Sequence, residues 1–213
     1  MRMAFALFLA LSAVSATGTV EAKPARSWDE ALAPSATYAR PLKIAKAPAG
    51  YLEFCDANSS ECAADVGGAN IIRLDERTYN LLDALNTRIN HVIAEMSDMD
   101  NYHVADFWTL PANGKGDCED FQLQKRHDLI ALGFPRQALM LTVVRDENDE
   151  GHAVLLVRTD RGDLVLDNRT DIIRDWAAAP YEFVKRQSQE DPMTWVYIGD
   201  PALTLDRVAS GQP

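Results

Sequence analysis

Three kinds of hydrophobic pattern follow one another along the chain. The first is an unbroken apolar run from Met3 to Val14, preceded by Arg2 and followed by small residues. It is shorter than the ~20 residues needed to cross a bilayer. The order positive, apolar, small reads as a secretory signal, with cleavage after Ala16 or Ala22. Residues 1–22 are therefore expected to be a signal peptide. No later apolar run is long enough for a membrane helix, so the mature chain is expected outside the cytoplasm, periplasmic or secreted, with no stable membrane insertion. Residues 23–49 hold Pro24, Pro34, Pro41 and Pro48 among Ala, Ser and Lys without a clean period, and read as an extended arm. Tyr51 to Asn70 is polar and turn-rich, ends in Gly67-Gly68, and reads as a loop.

The second pattern has helical spacing. Leu74, Leu81, Leu82, Leu85, Ile89, Val92, Ile93 and Met96 recur at three- and four-residue steps, with Asp75 placed to cap the start. Arg77, Asp83, Asn86, Arg88 and Asn90 fall on the other faces. Ser97 to Gly116 is expected to be a loop, carrying Asp106-Phe107-Trp108. Helical spacing resumes at Cys118 and runs through Phe121, Lys125, Leu129 and Ile130 to Gly133, a suitable C′ residue, with Pro135 confirming the stop.

The third pattern is short and β-branched. Strands are expected at Ala138 to Arg145, His152 to Arg158 and Asp163 to Asp167, separated by a polar turn and by Asp160-Arg161-Gly162. A short helix is expected over Ala177 to Gln189 and a last strand over Met193 to Gly199. Helices followed by an antiparallel meander give an α+β fold, with one domain over residues 50–213.

Charge narrows the partners. With 213 residues and a net charge of -11, the chain lacks the clustered cations that nucleic acid or an anionic membrane surface requires. Cysteine usage narrows the chemistry. In an oxidising compartment Cys55 and Cys62, close together in a polar stretch, are expected to pair, which leaves Cys118 over.

Cys118 lies in Gly116-Asp117-Cys118-Glu119-Asp120, too polar a block for a core thiol. At a helix N-terminus the dipole favours a thiolate. His152 opens one strand and Asp167 closes the next, and in an antiparallel hairpin those two ends are neighbours. Cys118, His152 and Asp167 are thus the expected nucleophile, base and orienting carboxylate. Unneutralised, Asp117, Glu119 and Asp120 would raise the thiol pKa. They are either a solvated face, one of them serving as a helix cap, or ligands of a hard divalent cation, for which calcium is the expected ion. His91, His103 and His127 look incidental, and no zinc spacing, G-x-S-x-G, Walker A or G-x-G-x-x-G is present.

Together Tyr51-Leu-Glu-Phe-Cys55 with Cys62, Asp106-Phe-Trp108, Gly116-Asp-Cys-Glu-Asp120, Gly151-His-Ala-Val-Leu155, Leu164-Val-Leu-Asp-Asn168 and Trp195 resemble the bacterial transglutaminase-like cysteine peptidases of the papain-like superfamily. The resemblance covers roughly Gly50 to Gly199. It implies a papain-like or transglutaminase-like fold, the Cys118–His152–Asp167 triad, and calcium on Asp117, Glu119 and Asp120. Among such proteins the LapG-type periplasmic proteases cut large surface adhesins, need calcium and answer to an inner-membrane receptor. The resemblance therefore implies a protein substrate such as an adhesin, and a regulatory receptor of that kind. Cys55 and Cys62 are not part of what LapG-type members imply. Three functions remain in view: a calcium-dependent cysteine endopeptidase, an acyl transfer to amines of the transglutaminase type, and a non-catalytic calcium-stabilised binding module.

Overall fold

Among the described residues seven strands make the main sheet, and the order in which the chain lays them down places the two ends of a hairpin beside one helix start. In the computed structural model, residues 37–65 and 67–198 are described. The expected signal peptide and most of the arm lie outside the described residues. From Ile44 onward the expected arm enters the fold: β1 (Ile44–Ala45) pairs with β9 (Trp195–Tyr197).

The segment read as a loop around Cys55 instead begins with helix α1 (Ala49–Ala57). Gly50, Tyr51, Phe54 and Cys55 are its buried residues, so it packs through one face. Cys55 is bonded to Cys62 across the turn that follows. Helix α2 (Glu76–Val92) starts as expected, with Asp75 accepting from the Thr78 N–H, and buries Tyr79, Leu82, Leu85 and Ile89. Asn86, expected on a free face, is fully buried. The stretch expected to be a loop contains β2 (Ala94–Glu95), the short helix α3 (Asp98–Tyr102) and β3 (Lys115–Gly116). β2 and β3 pair in parallel, so the residues just beyond each strand leave side by side.

Helix α4 (Cys118–Ala131) then runs under the sheet. It buries polar residues as well as apolar ones, and each polar group needs a partner to make burial tolerable. Gln122 accepts from the Thr142 N–H, and Arg126 donates to the carbonyls of Leu139 and Glu61. Gly133, at φ 90°, ends it as expected.

The meander is β4 (Leu139–Arg145), β5 (Gly151–Thr159), β6 (Gly162–Leu166) and β7 (Arg174–Asp175). Residues 182–187 are strand β8 (Glu182–Gln187), not the expected helix. The strand order is β1-β9-β8-β4-β5-β6-β7, antiparallel throughout. Leu139, Leu141, Leu155, Val157, Leu164 and Leu166 face the helices; Met140, Val144, Val154, Leu156 and Val165 face the cover formed by Ala39, Phe183, Trp176, Ala179 and Tyr181. Burial on both faces explains why these strands read as continuous apolar runs.

Candidate active site

Cys118 is the first residue of α4, as its sequence position suggested. The Asp117 side chain makes no capping bond there, which removes the simplest structural use of that carboxylate. Gly116 cannot carry a side chain: a Cβ would lie 2.5 Å from Asp120 Oδ2 and 2.6 Å from its Cβ. That closeness lets Asp120 fold back under the loop, where its Oδ1 accepts from the Thr109 N–H at 2.8 Å.

His152, one residue into β5, pairs across with Val144, and Asp167 follows the last residue of β6. The hairpin argument holds: His152 Nε2 lies 2.9 Å from Asp167 Oδ1, with both residues buried. Burial works to raise the Asp167 pKa, but hydrogen bonds from His152, Tyr181 and the Arg169 N–H outweigh it and hold the acid below its ordinary value. An ionised Asp167 takes the proton-bearing Nε2 of His152, so Nδ1 presents a lone pair. Nδ1 is buried and has no hydrogen-bond partner among the described residues.

The carboxylate reaches this geometry because α2 clamps the loop after β6. Asn90 donates to the Asp167 and Thr170 carbonyls and to Asp171, and Asn86 donates to the carbonyls of Thr170 and Asp171. Tyr181 adds a 2.5 Å hydrogen bond to Asp167 Oδ2. Sequence reasoning missed all three. The two asparagines looked like solvent-side helix residues, and Tyr181 sat in a segment read as helix.

Cys118 and His152 line the same cleft, of about 250 Å³, with Trp108, Glu119, Val143 and Lys185. A larger hollow of about 860 Å³ lies between Ile71, Ile130 and Phe134, but neither a cysteine nor a histidine lines it, so the chemistry belongs to the smaller cleft. Cys118 Sγ donates to Glu119 Oε2 at 2.9 Å. Burial first, then the charge and hydrogen bond of Glu119 and the charge of Asp117, push the thiol well above its ordinary pKa, against a smaller opposing effect of the Ala153 N–H.

The acidic residues are not a solvated face. Oxygens of Asp98, Asp117 and Glu119 all lie within 4.8 Å of one another. Asp98 was not anticipated; it comes from the first turn of α3, brought beside Asp117 by the parallel β2–β3 pairing, and its N–H donates to Asp117 Oδ2 at 3.4 Å. Asp98 also accepts from the Phe107 N–H. Asp120, also expected in the ligand set, is not among the three whose oxygens lie within 4.8 Å of one another; its Oδ1 accepts from Thr109 while its Oδ2 has no partner. Burial, with the charges of Glu119 and Asp98, pushes Asp117 up to about 8. Burial, with the charges of Asp98 and Glu119, also pushes Asp120 up to about 8. Asp98 Oδ1, Asp117 Oδ1 and Asp120 Oδ2 are buried without partners, each an acceptor aimed at nothing in the described chain. The other histidines are elsewhere: His91 pairs with Asp171, His127 with Glu61, and His103 takes a left-handed conformation at the end of α3.

A cysteine heading a helix packed on an antiparallel sheet, in one cleft with a histidine hydrogen-bonded to an aspartate, places the molecule in the class of transglutaminase-like cysteine peptidase folds. The family model of the bacterial transglutaminase-like cysteine proteinases matches residues 42–202, and the chain belongs to that family. Among solved structures, calcium-bound Legionella pneumophila LapG is 24% identical with TM-score 0.49, over 62% of this chain and 77% of that one. A second structure of that LapG is 25% identical with TM-score 0.48, over 62% and 75%. The EGTA-treated form is 25% identical with TM-score 0.48, over 59% and 73%. Among curated proteins no relative is found.

Proposed function

We propose that the protein is a calcium-dependent cysteine endopeptidase acting outside the cytoplasm, with Cys118 as nucleophile, His152 as general base and acid, and Asp167 as the orienting carboxylate. The observation that carries the reading is the free Nδ1 of a buried His152, whose other nitrogen is fixed by Asp167, in the cleft of Cys118.

The residues account for each bond. The Cys118 thiol gives its proton to His152 Nδ1 as sulfur attacks the scissile carbonyl carbon. The resulting oxyanion is met by backbone N–H groups at the start of α4, including that of Cys118. Collapse breaks the C–N bond, and the His152 imidazolium returns the proton to the leaving amine. Water then attacks the thioester carbonyl as His152 takes its proton, the C–S bond breaks to release the acid, and the imidazolium, held by Asp167 throughout, returns the proton to the Cys118 sulfur.

Asp98, Asp117 and Glu119 offer hard oxygen donors, and Oδ1 of Asp98 and Oδ1 of Asp117 are buried without partners, a set that fits calcium. When bound there, the ion supplies positive charge that offsets the carboxylates around the thiol. With that charge in place Glu119 would have less cause to accept the Cys118 proton, which would leave the thiol to His152. Location outside the cytoplasm is supported by the Cys55–Cys62 disulfide and by the secretory pattern of residues 1–22. No helix among the described residues is long and apolar enough to cross a membrane. The substrate is a protein; the resemblance to LapG-type proteases makes a large surface adhesin the first to test, and an inner-membrane receptor the first regulator.

The test is digestion of a defined peptide mixture by the calcium-loaded protein, with new N-termini mapped by mass spectrometry. Cleavages present with the unaltered chain and lost in Cys118→Ala are expected. Identical termini from both proteins would remove the peptidase assignment.

A further inference from the structure

The half of the site that carries His152 contains one side chain that the proposed chemistry has not used. Tyr181 follows Pro180 just before β8, which pairs with β4, which pairs with the strand carrying His152. Its hydroxyl donates to Asp167 Oδ2 at 2.5 Å, and its ring lies over His152, with centroids 5.4 Å apart and planes tilted by 46°. His152 and the Arg169 N–H both act on the opposite oxygen, Oδ1.

We propose that Tyr181 is a positioning residue of this site, locking the plane and charge of Asp167 through its hydroxyl and covering the His152–Asp167 pair with its ring. The inference rests on the reading of His152 as the base.

A carboxylate turns easily about its last bond, because that torsion has broad minima. Asp167 is 3% exposed, so water does not fix it. Donors on Oδ1 alone leave it free to swing; a donor on Oδ2 sets its plane, and with it the direction of the imidazole. The phenol suits the task. Burial, then the hydrogen bond and charge of Asp167, push its pKa up, so it stays a donor at working pH. A hydrogen bond to the ionised carboxylate also lowers that carboxylate's basicity, so the imidazolium keeps its proton on His152 rather than passing it to Asp167.

Other groups act on the pair from every side. Lys125 reaches Asp167 and Asp171 electrostatically from α4, Arg169 comes from the same loop with its guanidinium on Asp146, and Arg174 of β7 acts on Tyr181. Cys118 and Glu119 share the cleft with His152. None of these changes when the hydroxyl alone is removed.

The sign of the effect follows. In Tyr181→Phe, Asp167 loses a donor, becomes the stronger acceptor and grips the Nε2 proton more tightly. His152 then holds its charge to a higher pH. The test is an NMR titration of the full chain with 15N-labelled histidine, unaltered and as Tyr181→Phe. The chain has four histidines, so His152 is assigned by the resonances lost in His152→Ala. The His152 midpoint of the variant is expected above that of the unaltered chain, with the other three histidines unmoved. An unmoved His152 midpoint, or an equal shift of all four, would overturn the proposal. Exchange of the Nε2–H with solvent tests the ring: it should stay slow in Tyr181→Phe and quicken in Tyr181→Leu. Equal exchange in unaltered, Phe and Leu proteins would overturn the covering role, and if the Leu variant does not fold the midpoint of the Phe variant still decides the hydroxyl. Alkylation of Cys118 separates this claim from the peptidase reading. Ordinary thiol reactivity in the unaltered protein would sink the peptidase reading and leave a shifted midpoint standing. Fast alkylation beside an unmoved midpoint would sink only the role of Tyr181.

Discussion

The two walls of the cleft are built on opposite electrostatic terms. On the sheet side His152, Asp167, Tyr181 and the Arg169 N–H satisfy one another, and Asp167 stays ionised despite burial. On the helix side Asp98, Asp117 and Glu119 crowd together, Oδ1 of Asp98 and Oδ1 of Asp117 have no partner, and burial with the neighbouring carboxylate charges pushes Asp117 and Asp120 up to about 8. On the first wall the chain itself fixes every group but His152 Nδ1, which is left free. The second gathers like charges with buried oxygens that have no partner among the described residues. On the proposed reading the base is thus preorganised by the chain itself, while the thiol sits among the carboxylates, where a bound cation would act.

The largest effect is expected where the two walls meet. His152→Ala should lower the alkylation rate of Cys118 in calcium at least a hundredfold, since a positioned base contributes ~10²–10⁴; rates are read by mass spectrometry of the adduct. Next in size is the sheet-side wall. Asp167→Asn turns an acceptor of His152 and Tyr181 into a group with the wrong donors, and should cost about 2–4 kcal/mol in chemical denaturation.

On the helix-side wall the same kind of change should have the opposite sign. Asp117→Asn with Glu119→Gln should raise the melting temperature of the calcium-free protein by several degrees, about 1 kcal/mol or more of relieved repulsion, while weakening calcium binding at least tenfold in calorimetry. A fall in both would show that these carboxylates are structural.

The pH dependence sharpens the point further. Asp117 and Asp120 have folded-state pKa values raised to about 8, above those of the unfolded chain. Between about pH 4 and 8 the folded state therefore binds more protons than the unfolded one, and stability falls as pH rises through that window. Asp167, lowered, works the other way and loses its contribution only as pH falls below the ordinary carboxylate range. Calcium-free melting temperatures should decline from pH 5 to 8, and calcium should flatten the decline. The smallest effect is expected from Asp120→Asn, which should change calcium affinity less than about threefold because Asp120 lies outside the group of three.

How far these walls were legible in the sequence depends on what holds each element. α2 and the β4–β6 meander were readable because period agreed with burial, with Asp75 capping α2, and α4 because Cys118 opens it and Gly133 stops it, although its buried face is partly polar. The His152–Asp167 contact followed from hairpin geometry alone. β8 was not readable: Glu-Phe-Val-Lys-Arg-Gln lacks clean alternation, and it forms a strand because β4 and β9 flank it and Arg186 finds the carbonyls of Ala39 and Gln187. α1 hid its helical spacing of Tyr51, Phe54 and Cys55 inside a polar stretch that ends in a disulfide. Asp98 could not be joined to Asp117 from sequence, because two-residue strands leave no periodic trace. Tyr181 carries no motif, and its place is set by where β8 begins.

The most direct test of the two-wall account is the rate at which iodoacetamide modifies Cys118 of the purified mature protein, from pH 4 to 9, with and without calcium. The account predicts slow, base-requiring modification without calcium, and with calcium a fast reaction reaching well below the pH at which an ordinary thiol ionises. Rates that follow an ordinary thiol and ignore calcium would contradict it.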